Sequence, residues 1–104
     1  MGEDGTRGRR ELAEMVSRAK EAFGRRLSTL LDLSDMTDWQ LAGYLKRTVK
    51  QVDNYLDGHQ GPTFEGLAEM RVLFGVRSGE LDGSEPLDTP IDKVAVKARL
   101  KKMT

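Results

Sequence analysis

Apolar residues along this chain fall mostly at helical spacing. From Arg9 onward, Leu12, Met15, Val16, Ala19, Phe23, Leu27, Leu30 and Leu31 recur every three or four residues, which predicts an amphipathic helix reaching to about Asp32. Gly24 lies inside that pattern and costs about 1 kcal/mol relative to Ala in a helix, so the segment is either one long helix or two nearly continuous ones. Leu41, Ala42 and Leu45 mark a second segment, Val52 and Tyr55 a third, and the pattern lapses between them from Lys46 to Thr48. Two short helices joined by a tight turn are expected there, with the hydroxyls of Thr37 and Thr48 placed to accept the first free amides of each. Val52 and Tyr55 belong to the core, and Gly58 suits a left-handed C-terminal position.

Pro62-Thr63 signals the start of a fourth helix, in which Phe64, Leu67, Ala68, Met70, Val72, Leu73 and Phe74 offer apolar contacts before Gly75 stops it. Ser78-Gly79-Glu80-Leu81 predicts a short fifth helix capped by Ser78. The two prolines and small polar residues of Gly83 to Pro90 read as a linker. Beyond it Ile91, Val94, Ala95, Ala98 and Met103 share one side of a basic helix begun by Thr89 and Pro90. That helix is too short to stand alone, so it docks on the domain or orders on a protein partner. Residues 1–8, rich in Gly and charge, carry no periodicity and are expected to be a flexible arm. The resulting division is an arm at 1–8, a helical domain at 9–83, and a linker with a basic tail at 84–104.

Composition narrows the picture. A chain of 104 residues accommodates one small core. It has no Cys, which removes disulfides and thiolate metal sites and fits a reducing compartment. No apolar run approaches membrane-span length, and the charged start differs from a signal peptide, so a cytoplasmic location is expected. With a single His, no phosphate-cradling Gly-rich loop and carboxylates interleaved with Lys and Arg, no catalytic constellation can be assembled and no cofactor is expected. Net charge is zero, so any case for nucleic acid rests on distribution. Lys46, Arg47 and Lys50 cluster at the predicted turn, and other basic groups gather at the two ends.

The stretch from Thr37 to Gly58, with Leu41-Ala42, Leu45, Thr48, Val52, Tyr55 and Gly58 in order, resembles the helix-turn-helix of the Cro/repressor (XRE) family. Phe23-Gly24-Arg25-Arg26-Leu27 resembles that family's first helix. Pro62-Thr63-Phe64, Leu67-Ala68, Phe74-Gly75-Val76 and Glu80-Leu81 resemble its fourth and fifth, so the likeness spans roughly six tenths of the chain. The resemblance implies an all-α fold: a five-helix Cro/repressor-like domain with an added N-terminal helical segment and a C-terminal tail. It also implies a sequence-specific transcription regulator, a dimeric repressor of bacterial or phage type, binding double-stranded DNA as a homodimer. Two alternatives share the residues: the antitoxin of a toxin-antitoxin pair whose tail binds its partner, and a protein-interaction module that has lost DNA binding.

A helix-turn-helix lays the start of its second helix in the major groove, so the base-contacting candidates are Val49, Lys50, Gln51 and Asn54. Phosphate contacts would come from Arg47, Thr48, His59, Gln60 and Thr63. The plainer alternative is that these form the solvated outer face of a helix and a polar loop. Arg7, Arg9 and Arg10 suit a minor-groove arm less well than ordinary solvating charge. Asp53 is expected beside Lys50 or Arg47. Three positions depart from the family: Asp38 where Gln often meets a phosphate, Lys46 at the turn Gly, and Arg47 in place of a partly buried apolar residue. Trp39 is expected to cover the N-terminal helix. The apolar stripe of that helix either packs on the core or forms a dimer interface.

Overall fold

The computed structural model describes the backbone of residues 2–102 and the side chains of residues 8–102. Six helices follow one another, with no strand among the described residues: α1 (Gly2–Ser34), α2 (Asp38–Leu45), α3 (Val49–Leu56), α4 (Phe64–Phe74), α5 (Ser78–Asp82) and α6 (Lys93–Lys102). The first is continuous through Gly24 and runs back to Gly2, across the segment expected to be an arm. Once a helix is nucleated each added residue costs little, so α1 extends well past the globule. The molecule measures 56 × 29 × 20 Å.

The core gathers on the C-terminal half of α1. Phe23, Leu27 and Leu30 are buried there against Leu41 and Leu45 of α2, Val52 and Tyr55 of α3, Met70, Leu73 and Phe74 of α4, and Leu81 of α5. Phe23 meets Tyr55 edge to face with ring centroids 5.9 Å apart, a geometry that aligns the positive ring edge with the negative face. Gly24 marks a close approach and not a break: a Cβ there would lie 2.6 Å from the carbonyl oxygen of Tyr55 and 2.7 Å from that of Leu56. Gly83, at φ +85°, similarly abuts the carbonyl of Ala22. Residues 22–24 of α1 are thus held between the ends of α3 and α5.

Of the two outcomes open to the C-terminal segment, docking on the domain is the one seen among the described residues. Glu80, fully buried, reaches forward from α5: its carboxylate accepts hydrogen bonds from the backbone amides of Asp88 (2.9 Å) and Thr89 (2.7 Å) and from the Thr89 hydroxyl (2.8 Å). It also accepts the Arg77 amide at 3.0 Å, so α5 is capped from Arg77 and not from Ser78. These bonds lower the pKa of the Glu80 carboxyl from 4.5 to about 2, the Arg77 amide contributing most and then that of Thr89. From α1, Arg26 donates to the backbone carbonyls of Glu80 and Glu85. With Thr89 so engaged, α6 starts later than expected and takes its cap from Asp92, whose carboxylate accepts the Ala95 amide. Its buried residue is Val96, while Val94 and Ala98 face solvent; Met103 lies outside the described residues. Arg99 donates to the Leu73 carbonyl at 3.0 Å, and Lys93 and Lys97 flank Asp35 at the end of α1.

Several expected apolar contacts are absent. Phe64 and Val72 are exposed, since α4 turns Met70, Leu73 and Phe74 inward, and Ala68 also faces out. Trp39 is 62 % exposed and does not cover α1. Leu12 and Met15 are likewise exposed, because that part of α1 projects beyond the helices that could bury it, and Val16, also exposed, borders a hollow shared with Phe23, Pro62 and Leu67. The core-packing alternative for this stripe is therefore not realised.

Candidate nucleic-acid interface

Matching capping arrangements set α2 and α3 in place. Thr37 accepts the Gln40 amide through its hydroxyl while the Gln40 side chain accepts the Thr37 amide; Thr48 and Gln51 repeat the exchange at the start of α3. Each box satisfies two donors that a helix start leaves free. Between the helices Lys46 takes a left-handed conformation, φ +55° and ψ +45°, and the Arg47 amide donates to the Ala42 carbonyl at 2.9 Å. The chain can therefore reverse within three residues despite lacking Gly at Lys46. A Lys in this conformation carries a cost of roughly 1–2 kcal/mol.

With Val52 and Tyr55 turned into the core, α3 presents Val49, Lys50, Asp53, Asn54 and Asp57 along its other side. Val49 and Lys50 are exposed at the leading end, and Arg47 and Thr48 are exposed just before it. Asn54 is half-buried, and its backbone carbonyl accepts the amides of His59 (2.9 Å) and Gln60 (3.2 Å), which fixes the polar loop behind the helix. His59 and Gln60 keep exposed side chains. Thr63 sits further off as the cap of α4, its hydroxyl accepting the Gly66 amide at 3.0 Å.

Three candidates carry structural duties that bear on their use toward a ligand. The Gln51 side-chain carbonyl accepts the Thr48 amide, which ties the side chain back to the start of α3 and leaves that oxygen one further lone pair. Thr48 and Thr63 likewise have their hydroxyl oxygens engaged, leaving each an O–H to donate. The Thr-x-x-Gln spacing that announces both boxes stands in the sequence at Thr37/Gln40 and Thr48/Gln51.

Asp53 is not beside Lys50 or Arg47 in a charge pair. Its carboxyl meets that of Asp38, and the side-chain hydrogen bond between them raises the Asp53 pKa above the ordinary carboxylate range, with Asp57 adding to the effect. Two acids held together resist full ionisation. This pair links the first residue of α2 to the middle of α3. Sequence spacing alone does not disclose it, because the two acids are brought together by the turn.

Among the described residues no group of His, Asp and Glu is arranged to hold a metal ion, and no helix is long and apolar enough to cross a membrane. Fold and surface together define a small all-α protein whose third helix exposes a mixed basic, apolar and amide face. Comparison with family models, with curated proteins and with solved structures returns no match.

Proposed function

We propose that this protein is a sequence-specific DNA-binding regulator of the Cro/repressor-like helix-turn-helix type, with α3 as the helix that enters the major groove. The observation that carries the reading is the leading end of α3: Val49 and Lys50 are exposed there, with Arg47 and Thr48 exposed immediately before them. A helix end so presented fits groove entry, and Lys50 has the reach for guanine O6 and N7, Val49 the surface for a thymine methyl, and Asn54 the amide for adenine. Arg47, Thr48, His59 and Gln60 lie at the two ends of the same helix, where phosphate contacts would fix its register. Repression by covering a promoter is the simplest consequence, and double-stranded DNA the principal partner.

Titration of random-sequence duplex DNA at two salt concentrations tests the reading. Binding that weakens steeply with salt is expected, since each neutralised phosphate adds about 0.9 to the slope of log affinity against log salt. Lack of salt-dependent binding would favour a module that recognises another protein, a reading that the Asp38–Asp53 pair supports because acids at this place repel phosphate. An antitoxin tail has less support, since Val96 and Arg99 already engage the body of the same chain.

A further inference from the structure

We infer that two copies of this protein join through an antiparallel seam between the projecting halves of their first helices. Leu12, Met15, Val16 and Ala19 form one exposed stripe on α1 at successive helical turns. Such a stripe on a solvated helix is a contact surface in want of an occupant, and the charges beside it select a second copy. Glu11 and Arg18 lie one heptad apart on the same edge of the stripe, both on the exposed part of α1. When two such helices run antiparallel with Leu12 layered against Met15 of the other copy, Glu11 of each faces Arg18 of the other, forming two opposite-charge pairs by symmetry. A parallel, in-register pairing instead sets Glu11 toward Val16 and Arg18 toward Phe23, with no such complement.

The seam stands on α1 alone, whereas its consequence for DNA rests on the proposed function. The dyad falls between Leu12 and Met15, and Gly24, where the C-terminal end of α3 meets α1, lies about ten residues further along. At about 1.5 Å of rise per residue, the two meeting points are set about 30 Å apart along the seam. Successive major grooves on one face of a duplex are about 34 Å apart. The added length of α1 thus acts as a spacer between two recognition helices.

The absence of Cys from the natural chain makes a disulfide test clean. In the antiparallel seam Gly8 of one copy neighbours Ala19 of the other, and a side chain at Gly8 meets nothing within 4 Å of its own chain. An oxidised equimolar mixture of full-length Gly8→Cys and Ala19→Cys, without DNA, is expected to yield a cross-linked dimer that neither variant forms alone. Cross-linking of each variant with itself, or none in the mixture, would overturn the seam. Sedimentation equilibrium supplies a second readout: Glu11→Arg and Arg18→Glu each weaken dimerisation about fivefold, and the two together restore it. A double variant no tighter than either single would also overturn it. Because both measurements omit DNA, loss of the seam and loss of DNA binding are separately visible.

Discussion

Gly24 of α1 lies against the backbone carbonyl of Tyr55 in α3 so closely that a single methyl group on it would stand 2.6 Å from that oxygen. The contact sets how deeply α3 seats on the long helix, and through Phe23 and Tyr55 it ties the exposed face of α3 to the core. Ala is favoured over Gly in a helix by about 1 kcal/mol, yet here the added methyl meets backbone that cannot rotate away. Gly24→Ala is expected to lower stability by about 1–2 kcal/mol in urea denaturation, the cost of overpacking exceeding the propensity gain. A more stable variant would show that α3 does not press on α1 as described.

Lys46 predicts the opposite sign. Its left-handed backbone is strained for any residue with a Cβ, and Gly relieves that strain while adding freedom to the unfolded chain. Lys46→Gly should raise stability by about 0.5–1 kcal/mol, seen as a higher midpoint in the same denaturation experiment.

The buried Glu80 carboxylate gives the fold an acid limb. Its pKa is about 2 in the folded protein against an ordinary 4.5, so the stability it contributes is complete above 4.5 and is lost as pH falls toward 2. Glu80→Gln should be less stable at neutral pH, with the difference from the natural protein shrinking across that window. Amide exchange at Asp88 and Thr89, whose N–H groups Glu80 holds, should quicken in the variant.

The Asp38–Asp53 pair acts in the other direction. Asp53 binds its proton more tightly in the folded protein, so its ionisation destabilises the fold, and this loss grows as pH rises through its raised pKa. Asp53→Asn should therefore gain stability at neutral pH. On the DNA reading it should also tighten binding at neutral pH, which fluorescence anisotropy with a labelled duplex checks.

Much of the helical plan is visible in the order of residues. The heptad-like stripe of α1, the turn at Lys46 to Thr48, and the burial of Val52 and Tyr55 follow from spacing, and the Thr-x-x-Gln pairs mark two helix starts. The docking of α6 is hidden for two reasons. Val94, Ala95, Val96 and Ala98 offer apolar groups on more than one side of the helix, so periodicity does not choose Val96; and Glu80 finds its partners eight and nine residues away in what reads as a linker. Gly24 shows in the sequence only its cost to a helix, while its role depends on a carbonyl 31 positions later in the chain. The exposure of Val49 and Lys50 follows from spacing; the engagement of Gln51 by Thr48 is marked only by the Thr-x-x-Gln pair, and that of Asp53 by Asp38 by nothing in the sequence.

The central claim, that the leading end of α3 reads base pairs, is tested most directly by selecting bound duplexes from a random pool with the natural protein and with Lys50→Ala in parallel. A shared sequence recovered as an inverted repeat is expected, its half-sites about one helical turn apart, with one base position relaxed and affinity lowered by about 1–3 kcal/mol in the variant. A pool that gains no common sequence, or one that Lys50→Ala selects unchanged, would contradict it.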